Sequence, residues 1–143
     1  MKCEIIIDPN CQERVEIYVK EKHPLAERIQ QLAQQDAPEL LGYNGSQIVK
    51  LDPGCIHCIA VIGNRVYALC DAQRYLLKER LYTLEEKLPE CFVKINQSCL
   101  GNIRKMERFD TSLSGTLKIR FKNGHIDYVS RRQLKLIKER IGI

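Results

Sequence analysis

Apolar residues recur along this chain at two spacings, and the change from one to the other marks its elements. Near the start, Cys3–Ile7 is rich in β-branched residues and stops at Asp8-Pro9-Asn10, which predicts a short strand and a turn. Val15-Glu16-Ile17-Tyr18-Val19 alternates apolar and polar, the pattern of a strand with one wet face. The period then lengthens. Leu25, Ile29 and Leu32 fall on one side of a helix running from Pro24 to about Gln35, ended by Asp36-Ala37-Pro38. Pro24 suits the first helical turn, where its missing N–H has no partner to lose.

Glu39–Tyr43 and Gln47–Leu51 flank Asn44-Gly45, a strong hairpin signal. Asp52-Pro53-Gly54 turns the chain into a strand over Cys55–Ile62, and Gly63-Asn64 turns it again into Val66–Leu69. Between Ala72 and Leu88 the apolar residues Leu76, Leu77, Leu81, Leu84 and Leu88 keep a helical period, which predicts one helix ending before Pro89. The last third returns to strands at Phe92–Ile95, Ile103–Phe109, Thr116–Phe121 and Ile126–Val129, with Asn123-Gly124 as a further hairpin turn. Ser130 is placed to cap a final helix whose face carries Leu134, Ile137 and Ile141. Many short strands and few helices predict an α+β fold dominated by β structure. Residues 1–44 form a small strand-strand-helix extension in this reading, and residues 45–143 the main domain.

Composition narrows the class. At 143 residues, 44% hydrophobic and 29% charged, the chain is expected to fold. No apolar run approaches the roughly 20 residues that span a bilayer. The opening Met1–Asp8 reaches an acid too soon for a signal peptide, so a cytoplasmic location is expected. The seven cysteines are odd in number and mostly lie in apolar runs, which favours core residues over a disulfide framework. The charge is more telling than its net value of +5. Residues 91–143 hold 12 Lys and Arg against 4 Asp and Glu, while the first 90 hold 11 against 14. A basic excess confined to one third fits a polyanion-binding face; charge alone fits a solubilising face equally well.

Little in the chain looks like catalysis. Glycine-rich phosphate loops and nucleophile elbows are absent from the sequence, and His23, His57 and His125 have no evident carboxylate set, so no enzyme and no cofactor is expected. Cys55-Ile56-His57-Cys58 has the look of a zinc or thiol motif. It lacks a second ligand pair, and on a strand Cys58 points away from Cys55 and His57, so ordinary strand residues are expected there. Asn96-Gln97-Ser98, closed by Asn102, offers amides that can read adenine, although such a knot can also bond its own backbone. Arg131 and Arg132 stand at a helix start, where the dipole disfavours cations. A bound anion would justify them, and Arg is the commonest reader of guanine.

Phe92–Asn102 followed by Asn123-Gly124 and Val129-Ser130-Arg131-Arg132 resembles the LytTR family of bacterial DNA-binding domains. The likeness takes in the upstream hairpin and helix and spans roughly residues 45–143. It implies stacked β-sheets with short helices, whose loops enter successive major grooves of duplex DNA. Carried onto this chain, it implies DNA contacts at Asn96, Gln97 and Ser98 in the knot and at Arg131, Arg132 and Lys135 after the hairpin. A first-loop contact falls near His57. The chain departs from the pattern in having Gln97 where Lys or Asn is usual and Gly101 where a β-branched residue is usual. The first 44 residues are too short for the receiver domain many members carry, so a stand-alone regulator is expected. The family also implies binding as a dimer at direct repeats and restraint by a membrane-protein partner. The alternative function is a protein-interaction module with a merely basic C-terminal half.

Overall fold

The computed structural model describes residues 2–34 and 39–143, and the chain divides into two compact units, residues 1–36 and 37–143. In the first unit the expected helix forms as α1 (Pro24–Gln34). Its start is secured by His23, whose Nδ1 accepts the Leu25 N–H at 3.1 Å. The proposed terminator Asp36-Ala37-Pro38 lies outside the described residues. The turn at Asp8 also forms, with the Asn10 N–H on Asp8 Oδ1 at 3.0 Å. The two predicted strands do not: Cys3–Ile7 and Val15–Val19 carry no ladder, and Ile5, Ile6 and Ile7 are all exposed. Two strands without a third strand or a packed face are marginal in water, whatever their propensity.

Among its described residues the second unit contains ten strands. β1 (Leu40–Asn44) and β2 (Gln47–Leu51) make the first hairpin, so Leu40–Asn44 belongs to this unit and not to the extension. A 3-10 turn (Pro53–Cys55) leads to β3 (Cys58–Ile62) and β4 (Arg65–Leu69), joined by Gly63 and Asn64. Both turn residues have positive φ, 58° and 65°, which suits the twist of a two-residue hairpin. Then come β5 (Arg74–Leu77) and α2 (Leu81–Lys87). The single helix expected over Ala72–Leu88 is thus a strand and a short helix. Leu76 and Leu77 have helical spacing to Leu81, but Arg74–Leu77 fills the place between β4 and β1, where ladder bonds outweigh the period.

β6 (Phe92–Asn96) and β7 (Cys99–Asn102) follow, the second of them not read as a strand from sequence. A 3-10 turn (Ile103–Lys105) delays the next strand, β8 (Met106–Thr111), which pairs with β9 (Leu117–Phe121), and β9 with β10 (Ile126–Val129). The last element is α3 (Leu134–Ile141). The sheets are antiparallel, in the order β2-β1-β5-β4-β3-β7-β6 and β10-β9-β8.

Period-two alternation explains how these layers stack. On β3 and β7, Ile59 and Leu100 face one side with Leu84 and Leu88 of the α2 region; Cys58 and Cys99 face the other, with Leu117, Ile119 and Phe121 of β9 and Ile137 of α3. The seven-stranded sheet therefore lies between α2 on one face and the three-stranded sheet with α3 on the other. Gly101 marks a close approach of the two sheets: a Cβ there would sit 2.9 Å from both Met106 Cε and Phe121 Cζ. That is why a β-branched residue has no room at this position. α3 runs along the edge strand β6, from the Ser130 N–H on the Ile95 carbonyl (2.8 Å) to the Arg140 guanidinium on the Glu90 carbonyl (2.7 Å).

Candidate nucleic-acid interface

The β6–β7 turn consists of Gln97 and Ser98, both exposed. Asn96 fixes this turn from below. Its Oδ1 accepts the Ser98 N–H at 2.8 Å, and its Nδ2 donates to Asp127 Oδ1 and to the Tyr128 carbonyl, each at 2.8 Å. Both amide hydrogens and one lone-pair position are therefore spent inside the protein. Asn96, expected as a base reader, ties the turn to β10.

One strand along, the Ser130 N–H donates to the Ile95 carbonyl at 2.8 Å, which seats the Ser130–Gln133 turn against the end of β6. The expected cap at Ser130 is not made. Its carbonyl accepts the Gln133 N–H at 3.0 Å, and the helix begins only at Leu134, with no side-chain cap. Arg131 and Arg132 thus stand in a turn ahead of α3, and Lys135 in the helix's first turn; all three are exposed. The first turn contains no acidic residue. Among the described residues none of these three cations makes an ion pair. Three unpaired cations at the positive end of a helix dipole repel one another and the dipole, a cost relieved by a bound anion.

A third turn shares this edge. The Val61 N–H donates to the Ser98 carbonyl at 2.8 Å and Ala60 opposes Cys99, so the Gly63-Asn64 turn and exposed Arg65 extend beside Gln97 and Ser98. Sequence reasoning identified the turn but not its place. Nothing in the order of residues tells which turns of a sheet end on the same side.

His57 does not belong to this surface. It is 1% exposed. The Asn123 N–H, which can only donate, lies 3.2 Å from Nδ1, so that nitrogen carries the lone pair and the proton is on Nε2, which donates to Asp71 Oδ1 at 2.6 Å. The His57 backbone bonds Leu69 and Asn102. Where a groove contact was expected, both ring nitrogens are engaged within the chain, one by exposed Asp71 and one by the Asn123 N–H, which links His57 to the β9–β10 hairpin. Asn102 is likewise buried: Nδ2 donates to the Ile56 carbonyl at 2.9 Å and Oδ1 accepts the Arg104 N–H.

Behind the Asn96 tie, Asp127 is held by several donors. Burial works hardest against its ionisation, but His125, the Tyr128 N–H and Asn96 together outweigh it and keep the carboxyl below the usual range. His125, with Nε2 3.4 Å from Asp127 Oδ2, is pushed up to about 9, by Asp127 first and by the Cys99 thiol second. The Cys99 thiol is itself driven well upward by the neighbouring Cys58 thiol and by burial.

Residues 46–142 match the family described as LytTr DNA-binding domain. An uncharacterized HTH-type transcriptional regulator of Staphylococcus aureus (strain NCTC 8325 / PS 47) is 36% identical over 104 residues, 73% of this chain and 71% of that protein. Its counterpart in strain MRSA252 shows the same identity and coverage. In this chain α2 and α3 are separated by five strands, so they do not form a helix-turn-helix pair. A LytTr DNA-binding domain from Bacillus cereus superposes with a TM-score of 0.69 at 14% identity, covering 74% of this chain and 98% of that one, and so shares the stacked-sheet fold. The chain belongs to the LytTr family of DNA-binding domains, and its relatives are named as transcriptional regulators.

Proposed function

We propose that the chain is a sequence-specific transcription regulator that reads the major groove with two adjoining turns. The observation carrying this reading is the pair of bonds that lock them together, Ser130 to Ile95 and Asn96 to Tyr128. They hold the free side chains of Gln97 and Ser98 beside those of Arg131 and Arg132. Gln97 offers a donor and an acceptor to adenine, and Arg132 a fork to guanine O6 and N7. Arg131, Lys135 and Arg65 supply phosphate contacts, which set orientation and affinity but not sequence. Two copies bind as a dimer at direct repeats, tested by the stoichiometry on one-repeat and two-repeat probes.

Selection from random duplexes at two salt concentrations tests the reading as a whole. Enrichment of a short repeated motif that persists at the higher salt is expected. Retention without enrichment, lost at the higher salt, would leave only counterion release from a basic surface and sink the proposal. A second reading, an interaction module, is favoured for residues 2–34 alone. Ile5, Ile6, Ile7, Tyr18 and Leu32 are exposed there, a surface of protein-docking character. The membrane-protein partner that the resemblance implies would restrain the regulator of the first reading.

A further inference from the structure

β3 and β7 turn two thiols to the same face. Cys58 opposes Gly101 and Cys99 opposes Ala60, so the cysteines are diagonal neighbours, and both are fully buried. The β9–β10 hairpin lays His125 against them. The sulfur atoms of Cys58 and Cys99 and a ring nitrogen of His125 all lie within 4.8 Å of one another. Two residues on, Asp127 places Oδ2 3.4 Å from His125 Nε2.

We propose that Cys58, Cys99 and His125, with Asp127 beside the imidazole, bind a tetrahedral thiophilic cation of the zinc(II) class. Two sulfurs, an imidazole and a carboxylate are the donors such an ion selects, whereas magnesium and calcium take oxygen alone. The spacing is close to what is needed. Bonds of about 2.3 Å to sulfur and about 2.0 Å to nitrogen put tetrahedral donors roughly 3.5–3.8 Å apart, an inward shift of about 1 Å from the bound above. Cys58 and Cys99 sit on the paired strands β3 and β7, and His125 and Asp127 at the start of β10 in the facing sheet, so little chain must be ordered on binding. The thiols are closed off by Leu117, Ile119 and Phe121, but the side chains of His125 and Asp127 are 27% and 24% exposed, which gives the ion a way in. Binding releases the thiol protons and the proton between the imidazole and its partners.

A purely structural thiol pair in an apolar layer accounts for Cys58 and Cys99. It leaves unexplained why an imidazole is brought to the same point. Cys55, which the sequence pairs with Cys58 in a C-x-x-C, is exposed and stands apart from this cluster. The ligands come instead from positions 58, 99 and 125, a spacing no motif flags.

Cobalt(II) titration of the reduced, metal-free full chain, followed by zinc, is the test. A single equivalent is expected to give thiolate-to-cobalt charge-transfer absorption and intense tetrahedral bands that zinc abolishes. Cys58→Ser and Cys99→Ser should each remove the charge-transfer component contributed by one sulfur and weaken binding at least about tenfold; Asp127→Asn should weaken it about 10- to 100-fold. Cys55→Ser and Cys91→Ser should change nothing. Circular dichroism accompanies each variant, and if a buried cysteine variant fails to fold, the half-buried His125→Gln decides instead. Absence of the absorption in the folded wild-type chain overturns the proposal. So does an absorption that survives Cys99→Ser or His125→Gln but is lost with Cys55→Ser. No DNA enters these measurements, so their failure leaves the DNA-binding reading untouched.

Discussion

Asn96→Ala separates a base reader from a structural tie. Asn96 makes three bonds at 2.8 Å: one from the Ser98 N–H, one to the Tyr128 carbonyl and one to the Asp127 carboxylate. Bonds between neutral groups are worth about 1 kcal/mol each, and one to a charged group about 1.5–3. The site is half-buried, so water recovers part of the loss after truncation. A net destabilisation of about 2–3 kcal/mol remains, and for a domain of this size, at about 4 °C per kcal/mol, Tm falls by roughly 8–12 °C. DNA affinity should fall together across all probes, because the turn carrying Gln97 and Ser98 loses its support. The assay is a thermal melt by circular dichroism, beside binding to operator probes substituted one base pair at a time. An unchanged Tm with relaxed preference at one base pair would refute the reasoning and return Asn96 to the groove.

Arg132→Ala should lower affinity by about 1–3 kcal/mol and relax preference at a single base pair, read from the same substituted probes. Lys135→Ala should instead weaken all probes evenly and reduce the slope of log K against log salt by about 1; an unchanged slope would count against a phosphate contact. Gly101→Val forces side-chain atoms into Met106 and Phe121 and should cost about 1–3 kcal/mol in a denaturant melt, since the β9 core has no slack. His57→Ala should destabilise by about 2–4 kcal/mol, leaving the Asn123 N–H without its acceptor, while base preference at every position stays as in the wild type.

Some of this protein was written in local sequence. Gly63-Asn64 and Asn123-Gly124 specify their turns because few residues tolerate the backbone those turns require, and that preference acts within a few residues. Alternation along Leu117–Phe121 matches a strand with one buried face, and the basic excess after residue 90 marked the part that carries Arg131, Arg132 and Lys135. Gln97 and Ser98 were legible as a polar turn, and the structure places both in the exposed β6–β7 turn.

Tertiary structure decided the rest wherever the outcome depends on a distant partner. Leu76 and Leu77 became strand because β1 and β4 offered ladder bonds on both sides, which no local period can register. Val15–Val19 stayed out of a sheet because no third strand came to it, although its alternation is cleaner than that of β7. His57 and Asn96 have the chemistry of DNA readers and spend it internally, since the β9–β10 hairpin and Asp127 arrive from far along the chain to take their hydrogen bonds. The grouping of Cys58, Cys99 and His125 arises the same way, from strand register and a hairpin crossing. Sequence determines what each residue can do over a few neighbours; which of those capacities meets water, DNA or another side chain is fixed only when the sheets stack.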